Sequence, residues 1–164
     1  MFYKTTYPSP LGEITLVCDE TALMHLSVPG QKPFPHPAVN ADHPILTQTA
    51  LWLDAYFSGK APSASELPLR PEGTPFRRFV WDLLLRIPSG KTVSYGELAK
   101  EAAQALGKPR MSAQAVGQAV GANPIAIVIP CHRCVGADGS LTGYAGGVHY
   151  KQALLQLEAP KASP

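Results

Sequence analysis

Cysteine is scarce in this chain: three residues in 164, an odd number, with two of them close together at Cys131 and Cys134. That excludes a disulfide framework and fits a reducing compartment. Long apolar runs are missing too, none approaching the roughly 18 residues that a membrane span needs. The opening Met1-Phe2-Tyr3-Lys4 lacks the pattern of a secretory leader. A soluble, cytoplasmic protein with no membrane attachment is expected. A paired metal-ligand motif is absent as well, because Cys18 is the only cysteine outside the close pair, so no metal and no cofactor are expected. What remains is 45% apolar and 16% charged, enough to bury a core as one domain or two small ones.

The net charge of +2 conceals an asymmetry. Residues 1–69 hold three Lys/Arg and six Asp/Glu, a balance of −3, whereas residues 70–164 hold eleven and six, a balance of +5. A polyanion contacting the C-terminal half suits that division; taken alone, so does ordinary solvated surface charge.

Read in order, residues 2–7 and 13–17 have strand composition and flank the turn Ser9-Pro10-Leu11-Gly12, which predicts a hairpin, with a third strand over 23–28. Helical spacing over 45–57 predicts one amphipathic helix, and the proline-rich stretch 61–75 reads as a crossover between domains. Thr74-Pro75 has the form of an N-cap with proline in the first turn, opening a helix that carries Phe79, Val80, Leu83, Leu84 and Ile87 on one face and runs to Pro88-Ser89-Gly90. Ser94 with Glu97 makes a capping box for the next helix. Gly107-Lys108-Pro109 breaks that helix and Ser112 starts another over 113–120, the outline of a helix-turn-helix. This second helix is built almost entirely of small residues, which on their own read as an ordinary helix packed in a core; if it meets DNA, so smooth a helix suits approach to the narrow minor groove better than reading base edges in the major groove. A last helix over 148–157 is expected to turn Leu154, Leu155 and Leu157 inward.

The most informative stretch is Asn123-Pro124 followed by the apolar run 125–129 and then Pro130-Cys131-His132-Arg133. Proline ends the run and forces a turn, so Cys131 sits at the end of a buried lead-in. Only a thiolate attacks, and a neighbouring imidazole or guanidinium lowers a thiol's pKa from about 8.5; His132 and Arg133 are placed to do that. Judged alone, Cys131 reads as a small buried hydrophobe, as most free cysteines are. Cys131-His132-Arg133-Cys134 is also a C-x-x-C, which keeps thiol-disulfide exchange open, although the turn-forming Val135-Gly136-Ala137-Asp138-Gly139 follows where such motifs normally open a helix. Asn123 is best explained locally as a helix C-cap.

Together, Pro130-Cys131-His132-Arg133, the preceding Ala115-Val116-Gly117 and Asn123-Pro124, and the following Gly143-Tyr144-Ala145-Gly146-Gly147 closely resemble the O6-alkylguanine-DNA alkyltransferases. The resemblance runs from about residue 73 to 158; before it, only Ser9-Pro10-Leu11-Gly12 matches. It implies an α+β fold with a ribonuclease-H-like α/β domain over 1–73, a mainly helical domain with helix-turn-helix over 74–159, and a tail over 160–164. It implies a monomer acting on double-stranded DNA that contains O6-alkylguanine, with Cys131 as a single-use acceptor, His132 taking its proton through a water, and Glu158 orienting the imidazole. Asn123 would brace the active-site turn and Tyr95 would contact the flipped guanine. Tyr144, Ala145 and Val135 would line the base pocket, and Gln114, Ala115, Gly117, Ser94 and Arg110 would meet DNA. Three departures stand out: Gln114 occupies the position of the family's inserted arginine, the connection over 103–111 is longer, and Cys134 replaces an aliphatic residue. A lesion-binding sensor without transfer is the alternative within the same resemblance.

Overall fold

The computed structural model describes residues 1–141 and 147–159. They fall into two compact units, one comprising Met1–Glu72 with Pro124–Val128, the other Gly73–Asn123 with the chain from Ile129 onward.

The first unit is built on a sheet. Strands β1 (Tyr3–Ser9) and β2 (Gly12–Cys18) pair antiparallel, with Ser9 opposite Gly12. The connection is tight because Gly12 adopts φ +106°, a conformation that a side chain disfavours. The Ser9 hydroxyl donates to the Gly12 carbonyl at 2.6 Å and holds the turn. Strand β3 (Leu23–Ser27) adds antiparallel to β2, and β4 (Val39–Asn40) adds parallel to β1, giving the order β3-β2-β1-β4. Helix α1 (Pro44–Phe57) is capped by His43 and buries Ile45, Leu46, Trp52, Leu53 and Tyr56. Two later segments join β3. Leu69 bridges Leu23, and Ile125 bridges Leu26, where the Leu26 amide donates to the Pro124 carbonyl at 2.9 Å and the Ala126 amide to the Leu26 carbonyl at 3.0 Å. The proline-rich crossover and the apolar run are thus both partners of this sheet, pairings that residues 61–75 and 125–129 do not announce in sequence.

The second unit is mainly helical. Helix α2 (Pro75–Leu84) starts at the Thr74 cap, whose side chain accepts from the Arg77 amide, and ends four residues before Pro88. Strand β5 (Val93–Ser94) leads directly into α3 (Tyr95–Ala105), where the Ser94/Glu97 capping box is formed in both directions. Helix α4 (Ala113–Gly121) follows residues 106–112, with the Ser112 hydroxyl accepting from the Ala115 amide. Such caps contribute about 1 kcal/mol each. Trp81, 1% exposed, donates its indole N–H to the Ala119 carbonyl at 2.8 Å and so fastens α2 to α4. Strand β6 (Cys134–Val135) pairs parallel with β5, placing Val93 beside Cys134 and Ser94 beside Val135. Helix α5 (Val148–Glu158) closes the described chain. Its inward face differs from expectation: Leu154 is buried, Leu155 and Leu157 are only half-buried, and the second buried position is Lys151.

Candidate active site

The approach to Cys131 is unusually bent. Within the first unit, the Val128 amide donates to the Ala126 carbonyl at 2.8 Å across Ile127, which sits at φ +72°. That is a three-residue turn of the rare positive-φ kind, and a β-branched residue is strained there by roughly 1–3 kcal/mol. Within the second unit, the Cys131 amide donates to the Ile129 carbonyl at 2.8 Å across Pro130, whose φ −82° and ψ 64° make the common inverse form of the same turn. Proline favours the φ of that second turn. Cys131–Arg133 then forms one 3-10 turn before β6 begins.

Asn123 braces this geometry. Its amide donates to the Ile129 carbonyl at 2.8 Å and also hydrogen-bonds Cys131. The helix C-cap expected of Asn123 is instead Ala122, since α4 ends one residue earlier and the asparagine side chain reaches forward across the turn.

His132 is fully buried, and its Nε2 lies 2.6 Å from a Glu158 carboxylate oxygen. A carboxylate only accepts, so the hydrogen belongs on Nε2 and the lone pair on Nδ1. Nδ1 is buried without a hydrogen-bond partner among the described residues. Burial lowers the imidazole's pKa, outweighing the upward influence of Glu158, which keeps the ring neutral and able to accept a proton. The other Glu158 oxygen accepts from Arg133 Nε at 2.7 Å, and Arg133 also donates to the Ile87 carbonyl at 2.6 Å.

That use of Arg133 corrects the expectation that it would activate the thiol; its guanidinium is committed to Glu158 and a backbone carbonyl. Cys131 is 6% exposed, and desolvation raises its pKa. The influences that pull it down are the Asn123 hydrogen bond, the charge of Lys151, and the backbone amides of Cys131 and His132. Lys151 is the residue that the sequence reading missed. It is 1% exposed on α5, and its ammonium donates to Tyr95 Oη at 3.4 Å. Burial lowers the Lys151 pKa, while Cys134 and Cys131 hold it up. Lys151 falls among Leu154, Leu155 and Leu157 on a helix that reads as ordinary, and only the register of α5 brings it to the thiols.

Tyr95 is half-buried, and burial, with both thiols nearby, pushes its phenol up to about 12, so it stays protonated and can donate. Gly117 of α4 faces the Tyr95 ring: a Cβ there would lie 3.7 Å from Cδ1, room enough for contact without overlap. Val135 is buried beside Cys134. Gln114 is exposed in the first turn of α4, Ala115 and Ser94 are partly exposed, and Arg110 is exposed in the connection before α4. The Ser94 hydroxyl is taken up as the cap of α3. Tyr144 and Ala145 lie outside the described residues.

Residues 2–71 match the family model for the ribonuclease-like domain of 6-O-methylguanine DNA methyltransferase, and residues 75–160 match the model for its DNA binding domain. A methylated-DNA–protein-cysteine methyltransferase of Methanosarcina barkeri is 46% identical over 158 residues, covering 95% of this chain and 96% of that protein. One from Haemophilus influenzae is 39% identical, covering 95% of this chain and 86% of that protein. The crystal structure of Mycobacterium tuberculosis OGT in complex with DNA superposes with a TM-score of 0.83 at 40% identity, covering 96% of this chain and 95% of that one.

Proposed function

The chain belongs to the 6-O-methylguanine DNA methyltransferase family, and on that premise we propose that Cys131 is the acceptor, served by His132, Glu158, Asn123, Tyr95 and Lys151. The protein repairs DNA by moving an alkyl group from guanine O6 to a cysteine thiol. Each molecule acts once, because a thioether has no route back to a thiolate.

The observation that carries the residue assignment is the fully buried His132, hydrogen-bonded through Nε2 to Glu158, with an Nδ1 that meets no hydrogen-bond partner among the described residues. A neutral base is needed because Cys131 is held above the ordinary thiol value by burial. In the proposed step, the thiol proton passes through a water to Nδ1, and Glu158 stabilises the imidazolium. Lys151 and the Asn123 amide favour the thiolate. The sulfur attacks the alkyl carbon in line with its bond to O6, the S–C bond forms as the C–O bond breaks, and guanine leaves with the bonding pair. Tyr95 donates a proton to the departing base, and the Lys151 ammonium beside Oη restores it. Val135, Tyr144 and Ala145 line the base pocket in this proposal.

The base must leave the stack to reach a buried sulfur, at a cost of a few kcal/mol. Gln114, Ala115 and Gly117 on α4, with Ser94 and Arg110, form the proposed DNA face. Small side chains along α4 suit close approach, and Gln114 would fill the space left by the flipped nucleotide. Cytoplasmic location and action as a monomer are part of the same proposal. No helix among the described residues is long and apolar enough to cross a membrane.

The test is to incubate the protein with a duplex containing O6-methylguanine and locate the methyl group by peptide mass spectrometry. Methyl on Cys131, and persistence of the lesion with Cys131→Ser, is the expected result. Tight lesion binding without any adduct would instead make the protein a sensor.

A further inference from the structure

Cys134 has no part in the transfer chemistry, yet it is fully buried, reduced, and three residues from the acceptor. We propose that Cys134 is a resolving thiol for Cys131, so that a hydroperoxide converts the pair to an internal disulfide that a dithiol can reopen.

The backbone is already arranged for it. Cys131–Arg133 is a 3-10 turn, and the Cys134 amide donates to the Cys131 carbonyl. Side chains at i and i+3 of such a turn eclipse one another, and its ends lie within about 7 Å between Cα atoms, the span that a disulfide bridges. Pairing of Cys134 with Val93 fixes the far end of the turn. The two sulfurs also share their surroundings: both influence the Tyr95 phenol and the Lys151 ammonium, and the charge of Cys131 acts on Cys134. Cys18 lies in β2, within the other compact unit.

Burial pushes Cys134 up to about 12, so it remains a neutral thiol and does not compete with Cys131 for the alkyl group. Oxidation differs, because it creates an electrophile next door. The Cys131 thiolate attacks one oxygen of the hydroperoxide, the O–O bond breaks, and an alcohol or water leaves, giving a sulfenic acid on Cys131. The Cys134 sulfur then attacks that sulfur, the S–O bond breaks, and the departing hydroxide takes the Cys134 proton and leaves as water. Two thiols are oxidised and one peroxide is reduced. A single-use acceptor that is over-oxidised is lost, whereas a disulfide is recoverable. Burial of both sulfurs restricts the oxidant to a small molecule, unlike the exposed pair of an oxidoreductase that acts on proteins.

The experiment exposes the protein to a few-fold excess of hydrogen peroxide, then follows peptide mass and alkyl transfer before and after dithiothreitol. The peptide containing both cysteines should be lighter by two hydrogens, with transfer reduced about tenfold or more and then restored. In Cys134→Val, basal transfer should be unchanged, while peroxide should add two oxygens at Cys131 and cause a loss that dithiothreitol does not repair. Oxygen addition in place of hydrogen loss in the wild-type peptide overturns the proposal, as does a disulfide to Cys18 or equal recovery in Cys134→Val. The mass readout is independent of activity, so a disulfide in a protein that transfers no alkyl group would sink the acceptor reading and leave this one standing.

Discussion

Among the described residues, each compact unit holds one buried histidine with a ring nitrogen that meets no partner, and the two have opposite fates. His25 of β3 is 5% exposed, packed against the edge of Phe34, and burial alone pulls it down to about 4. His132 is buried still more completely, but a carboxylate fixes its Nε2 and leaves the free nitrogen as an acceptor. Burial makes a histidine neutral. A carboxylate on one ring nitrogen makes it a base, because it fixes the tautomer and stabilises the cation that follows proton uptake.

The sharpest way to break that contrast is to remove the carboxylate. In Glu158→Gln the amide can turn its NH₂ toward Nε2, forcing the hydrogen onto Nδ1 and leaving the Arg133 charge uncompensated. Single-turnover transfer should fall roughly 10²–10⁴-fold, with stability lowered by roughly 3 kcal/mol. A rate within threefold of wild type would mean that His132 is not the base. Lys151→Met keeps the volume of the side chain and removes the charge. Its transfer rate should drop roughly 10–100-fold at neutral pH, and the pH–rate profile should move upward, a shift that a packing defect would not produce.

For His25 the prediction concerns pH. Its folded pKa, about 4, lies below the ordinary 6.5, so between those values the unfolded chain binds a proton that the folded chain refuses. Stability should therefore decline as pH falls from 6.5 toward 4, by up to about 3 kcal/mol. His25→Leu should flatten that decline in denaturant titrations while leaving alkyl transfer intact. An unchanged pH dependence would remove His25 from the comparison. The smallest effect concerns charge. Gln114→Arg should raise affinity for duplex DNA a few-fold and steepen its salt dependence by about one unit, whereas the same charge at exposed Leu51 of α1 should change neither. Equal responses at both positions would dissolve the distinction between the acidic and basic halves.

Much of the local structure was legible because it depends on near neighbours. Gly12 and Ser9 set the hairpin, Thr74-Pro75 starts α2, and Ser94 with Glu97 starts α3, all at the expected residues. The Cys131 motif was legible through its resemblance to a known family. Less was visible where a partner lies far along the chain. Strand β4 is two residues long, and residues 124–128 read as a generic buried run until β3 supplies their hydrogen bonds. Arg133 looked like an activator of its neighbour and proved to be a partner of Glu158 and the Ile87 carbonyl.

The sequence by itself determined where helices begin, where the first hairpin turns, and which cysteine stands beside a histidine, since caps, turns and adjacency act over three or four residues. Tertiary structure decided which nitrogen of His132 meets no partner among the described residues, that Lys151 rather than Arg133 acts on the thiols, and that Cys134 has the same tyrosine and lysine near it as Cys131. Those outcomes depend on burial and on charges brought together from the 131–133 turn and α5. Desolvation and Coulomb interaction follow distance in space, which the order of residues does not record.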